Sequence, residues 1–192
     1  MAGMSEVPAA IEPDDKNWTW VLERPCPECG FVAADHPRES IGSDLRGLKT
    51  GYDAALADPR ARTRPDPHVW SALEYGCHVR DVYRLNRDRL GLMLDEHAPE
   101  FANWDQDETA VSERYDLQDP DLVAADLAAA GDELAAAFDA VDGDGWARTG
   151  TRSDGVVFTV ETFAVYFLHD PIHHLWDIEQ GYGALGEYVR PA

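Results

Sequence analysis

Apolar positions recur at spacings of three and four residues in four stretches of the chain, the spacing that gathers side chains on one face of a helix. The first stretch covers about 38 to 57, with Ile41, Leu45, Leu48 and Tyr52 on the repeat. The second opens at Asp66-Pro67, an N-cap followed by a residue suited to the first helical position. It carries Val69, Leu73, Gly76, Tyr83 and Leu90 toward His97. The third begins with a second Asp-Pro pair, Asp119-Pro120, and is rich in alanine, the best helix former. Its larger anchors are Leu122, Leu127, Leu134, Phe138 and Val141.

The fourth stretch, from Thr159 to Gln180 and closed by Gly181, sets two signals against each other. TVETFAVYFL is rich in β-branched and aromatic residues, which favours a strand locally. Its repeat is helical, however. Val160, Phe163, Ala164, Phe167 and Leu168 share one face, and the stripe continues in register through Pro171, Leu175 and Ile178. Periodicity over this length predicts one helix, kinked at Pro171. The alternative is a new helix capped by Asp170, with His169 outside it.

Between these stretches lie a polar link, FANWDQDETAVSERYDLQ, and a glycine-rich break, DGDGWARTGTRSDG, read as a turn or short hairpin over the bundle end. The fold class expected is all-α, a single domain over 17–192 that carries a cysteine-bearing extension at 17–37. An acidic, proline-bearing flexible tail at 1–16 precedes it.

Charge narrows the partners. Sixteen basic residues face thirty-seven acidic ones, a formal net charge of −21. Nucleic acid and anionic membrane both need cationic surface, so neither is an expected partner. No apolar run approaches the roughly 20 residues that span a bilayer, and the N-terminus lacks the basic start and apolar run of a signal peptide. With three cysteines, too few for a disulfide scaffold, the expected location is the cytoplasm.

The chemistry concentrates in HDPIHHLWD, residues 169–177. On a helix, residues four apart share a face, so His169 and His173 can reach one ion. His174 projects about 100° away from His173, onto the apolar stripe, and reads as a packed, hydrogen-bonded residue beside the site. Asp177 follows His173 by four and could orient a ligand through its other ring nitrogen. A third ligand must come from His36, His68, His78 or His97.

WSALEYGCHVRDVY (70–83) together with FLHDPIHHLWDI (167–178) resembles the DinB/YfiT-like superfamily, especially its actinobacterial members. The resemblance implies a four-helix bundle with one histidine on the second helix and an HxxxH pair on the last. It therefore implies His78, His169 and His173 as ligands of a divalent metal, zinc or nickel, in an open site at one end of the bundle. It also implies thiol-dependent chemistry, transfer or isomerisation with a mycothiol- or bacillithiol-type cosubstrate, with hydrolysis by metal-bound water as the alternative. A non-enzymatic metal-binding or stress-response module is the competing class. The expected partners are a small-molecule substrate and a second copy of the chain as homodimer.

RPCPECGF places Cys26 and Cys29 at the spacing of half a zinc knuckle or of a redox pair. For a second metal site His36 is the third candidate ligand, and Cys77 or Asp35 the fourth. The plainer reading is a turn with two reduced cysteines packed on the bundle. Trp70, Tyr75, Tyr166 and Trp176 are candidate pocket walls, with Glu74 or Asp81 nearby. Arg80 and Arg84 could meet an acidic substrate, although ion pairing suits them better.

Overall fold

In a computed structural model the chain is described over residues 9–11 and 16–187, so most of the expected N-terminal tail lies outside the described residues. Five α-helices follow the extension: α1 (Ile41–Ala57), α2 (Ala72–Asp95), α3 (Gln106–Ser112), α4 (Pro120–Asp139) and α5 (Val160–Leu185). A two-stranded antiparallel hairpin, β1 (Thr149–Thr151) and β2 (Val157–Thr159), fills the glycine-rich break. The long helices α1, α2, α4 and α5 form the bundle, with α4 and α5 each packed against both α1 and α2.

The apolar repeats bury as expected for α1 and α5, where Ile41, Leu45, Tyr52, Phe163, Ala164, Phe167 and Leu168 are all core residues. In α4 the repeat is displaced at its start. Leu122 is 69% exposed, and Val123 takes the buried position instead. Gly131 lets α4 approach α2 closely, since a β-carbon there would meet the Tyr83 ring at 3.0 Å. The polar link holds α3, which sequence periodicity did not predict. Asp105 starts it by accepting the N–H groups of Asp107 and Glu108.

Helix α2 begins at Ala72 rather than at Pro67. The reason is a stronger start signal. Ser71 accepts the N–H of Glu74, and the Glu74 carboxylate accepts the Ser71 N–H at 2.9 Å, a reciprocal capping box. Asp66 instead accepts the His68 N–H at 2.9 Å and closes a turn. Glu74 is buried and also receives the Arg64 guanidinium at 2.5 Å, so cap and ion pair hold the same carboxylate. Ser71→Ala should therefore lower stability by about 1 kcal/mol, read as a lower urea midpoint at unchanged slope.

Helix α5 runs through Pro171 without a break and past Gly181, ending at Gly186, whose φ of 74° lies in the left-handed region that favours glycine. Proline removes one N–H from the ladder and crowds the carbonyl four residues back. The fully buried Tyr52 donates its hydroxyl to the Pro171 carbonyl at 2.7 Å, tying α1 to this point of α5. Among the described residues no helix is long and apolar enough to cross a membrane.

A short 3-10 helix, Trp18–Leu22, lays the extension against α5. This contact covers one side of the helix at the histidines.

Candidate metal centre

Successive residues on a helix diverge by about 100°, so the pairs 169/173 and 170/174 point different ways from the same turn. The Asp170/His174 pair meets His78 of α2. The His169/His173 pair meets Cys26 and Cys29 of the extension. In each group the donor atoms lie within 4.8 Å of one another.

In the first group, the Asp170 carboxylate lies 3.7 Å from His78 Nε2 and 3.6 Å from His174 Nε2. His78 is buried, and neither of its ring nitrogens has a hydrogen-bond partner among the described residues; nor does Asp170 Oδ1. Buried polar atoms without partners cost about 1–3 kcal/mol each, and here they converge on one point. His174 Nδ1 pairs with Asp177 at 2.9 Å. Asp177 thereby keeps the Nδ1 proton in place and leaves Nε2 facing Asp170, the way ligand histidines are usually held.

Charge fits the same reading. Burial opposes ionisation of Asp170, but His174 and His78 outweigh it and hold its carboxyl well below the usual carboxylate range. Burial also opposes a charge on His174, yet Asp170 and Asp177 outweigh it and raise its pKa to about 10. His78 is lowered by burial and stays neutral. Two imidazoles and a carboxylate, with a proton drawn to where a cation would stand, form a donor set that a divalent ion fits.

This group opens on a cleft of about 1440 Å³. Trp70 and Trp104 flank the His78 ring at 5.1 and 5.7 Å between centroids, and Tyr75 covers His174 at 5.0 Å. Trp70, Tyr75, Tyr166 and Trp176, for which helical spacing favoured a core role over a pocket wall, all line it. Arg89 and Arg152 also line it. Arg89 went unnoticed in the sequence because it is one of several arginines on α2. Its Nε is buried and has no hydrogen-bond partner among the described residues. Arg80 and Arg84 instead pair with Asp81.

In the second group, Cys26 Sγ lies 3.7 Å from His173 Nδ1. His169 Nε2 is buried and has no hydrogen-bond partner among the described residues. Burial, then the neighbouring His173, lowers the His169 pKa to about 4, and burial lowers that of His173 against the pull of Asp177 and Glu28. Both rings are neutral at pH 7.

The residues expected at the site are thus all near it but differently grouped. His78, His169 and His173 line the same cleft, yet they divide between the two groups. Asp170 and His174 have the same spacing as His169 and His173, so spacing alone does not single out either pair as candidate ligands. His36 joins neither group, because its Nδ1 pairs with Asp44 at 2.9 Å and its ring stacks on Phe31. Cys77 is buried on another face of α2, with its sulfur 4.0 Å from the Tyr115 carbonyl. Glu74 serves the α2 cap, and Asp81 receives the Tyr115 hydroxyl at 2.6 Å.

The DinB superfamily model matches residues 51–178, which span α2 and the histidine cluster of α5. The chain belongs to the DinB superfamily. Among solved structures, this DinB chain is similar to YfiT from Bacillus subtilis, described as a probable metal-dependent hydrolase with an unusual four-helix bundle topology. The identity is 17% and the TM-score 0.62, covering 92% of this chain and 94% of YfiT, so the likeness is one of fold. No curated protein matches this chain.

Proposed function

We propose that this DinB-superfamily chain is a divalent-metal-dependent enzyme in which His78, Asp170 and His174 hold the ion, zinc or nickel, and that it hydrolyses a small molecule bound in the adjoining cleft. One observation carries the reading: three convergent ligands with unpartnered buried atoms open on a large cleft rather than being closed by a fourth side chain. Catalytic sites keep such an open position, whereas structural sites do not. The printed description of YfiT as a probable metal-dependent hydrolase supports the same class.

An ion bound there supplies Lewis acidity, which polarises a carbonyl or acidifies a nucleophile. The chain's own residues do the rest. Asp177 holds the proton on His174 Nδ1, so that Nε2 remains the coordinating atom. Trp70, Trp104 and Tyr75 keep water from the backs of the two rings. Arg152 is paired with Asp154, but Arg89, whose buried Nε has no hydrogen-bond partner among the described residues, brings positive charge to the cleft and suits a substrate carrying a carboxylate or similar anion.

Transfer of a low-molecular-weight thiol, of mycothiol or bacillithiol type, to an electrophile is the second reading. The size of the cleft favours it, since about 1440 Å³ exceeds the roughly 300–1,000 Å³ of a usual small-molecule pocket. The test is turnover of a panel of anionic esters, amides and lactones, and of electrophiles supplied with thiols, before and after chelation. Turnover that chelation abolishes and zinc or nickel restores is expected. Hydrolysis without added thiol selects the first reading and thiol dependence the second. Activity indifferent to chelation would sink both.

A further inference from the structure

The extension at 17–37 is poor in regular structure. It has two short 3-10 helices, Trp18–Leu22 and Ala33–Asp35, and otherwise turns. Such a segment orders only if something beyond secondary structure holds it. Its buried residues Val21, Cys26 and Phe31 gather around α5. Trp18 packs on the rings of both His169 and His173, at 5.1 and 4.9 Å, and Phe31 meets His169 edge-on.

The Cys26–Cys29 turn has the form of a metal knuckle. The Cys26 N–H donates to the Phe31 carbonyl at 2.8 Å, and the Gly30 N–H donates to the Cys26 carbonyl at 3.0 Å. Gly30 takes a φ of 76°, where a side chain would be strained. Burial raises the Cys29 thiol to about 11 against the Phe31 N–H, so a metal ion bound there would displace the thiol proton.

We propose that Cys26, Cys29, His169 and His173 form a closed tetrahedral zinc site that fastens the extension to α5. Two thiolates and two neutral imidazoles on one divalent ion sum to zero charge, the condition under which such a group can be buried. Bond lengths of about 2.3 Å to sulfur and 2.0 Å to nitrogen put a sulfur and a nitrogen ligand roughly 3.5 Å apart. Cys26 Sγ and His173 Nδ1 are 3.7 Å apart. His173 Nε2 faces Glu28 at 3.5 Å and Asp177 at 3.8 Å, carboxylates on the side away from the sulfur.

Two other uses of these cysteines fit less well. A nucleophilic Cys26 would have to meet a substrate, yet Cys26 is 1% exposed. A redox pair would leave the unpartnered His169 nitrogen unexplained. The zinc site is separate from the open one, although Asp177 touches both: one oxygen pairs with His174 and the other faces His173. Either site can stand without the other.

The experiment is cobalt substitution of the full chain, followed by zinc analysis of single variants. The cobalt protein should show thiolate-to-cobalt charge transfer in the near ultraviolet and the intense visible bands of a tetrahedral ion. Cys26→Ser and His169→Ala should each lose one equivalent of zinc, and the cobalt forms should lose the thiolate-to-cobalt band. Asp170→Asn should keep that band. Should a variant fail to fold, mercurial titration of the wild-type thiols should release one zinc per protein. A cobalt protein without thiolate absorption, zinc content unaffected by Cys26→Ser, or thiol titration that releases no zinc would each overturn the proposal.

Discussion

Asp170→Ala and His174→Ala should each empty the open site and abolish metal-dependent turnover, whereas His169→Ala should leave an ion there. An open site has three protein ligands, and removing one leaves two, too few to hold a divalent ion firmly. The loss should exceed the roughly 10- to 100-fold that deleting an outer hydrogen-bond partner costs. Asp177→Asn belongs to that milder class, because at the open site Asp177 orients His174 and does not itself face the ion. Isothermal titration with zinc on the four variants, each stripped and refolded to the same circular dichroism, measures the series. Equal affinities of Asp170→Ala and the wild type would remove Asp170 from the site. Loss of the open-site ion in His169→Ala, with Asp170→Ala unaffected, would restore the grouping implied by resemblance alone.

Asp81→Ala should cost about 2–3 kcal/mol of stability, the largest effect expected away from the clusters. Asp81 receives the guanidinium of the buried Arg80 at 2.9 Å and the hydroxyl of the fully buried Tyr115 at 2.6 Å. Removing the carboxylate strands both donors, although Arg80 keeps its bond to Gln118 at 2.6 Å. The pH dependence follows from the direction of the Asp81 pKa. Burial raises it, but Arg80, then Tyr115, outweigh burial and leave it below the ordinary value. A carboxyl depressed on folding adds stability that is fully present above the unfolded value near 3.9. That stability is lost as pH falls through the folded value. The gap between wild type and variant should therefore be full at pH 6 and narrow below about pH 4. Urea unfolding of both proteins across that range measures it. A gap that widens on acidification would contradict the assigned sign.

Much of the bundle is legible in local patterns. The Asp119-Pro120 start of α4 needs only an oxygen to accept backbone N–H groups and a proline that suits the first turn, and both are adjacent in sequence. The helix over the β-branched stretch of α5 follows from a repeat that strand propensity cannot outweigh, since its five apolar positions bury together. Where two local signals competed, position alone did not choose. Asp66-Pro67 and Ser71-Ala-Leu-Glu74 are both helix-start signals, and the second prevailed because the Glu74 carboxylate closes the cap and pairs with Arg64.

What the sequence by itself determined was that the chain is helical and that its candidate metal ligands are concentrated at residues 169–177. Only the tertiary structure decided which candidate ligands lie together. Spacing by four makes His169/His173 and Asp170/His174 equally good pairs, and the sequence holds no information on what each faces. Packing supplies it: α2 brings His78 to the Asp170 side, and the 3-10 helix at 18–22 lays the cysteine turn on the His169 side. His36 stands outside both groups for a similarly nonlocal reason, because the first turn of α1 places Asp44 against its ring. A metal site needs ligands within a few ångströms in space, and residues far apart in the chain reach that distance only through the packing of the helices that carry them.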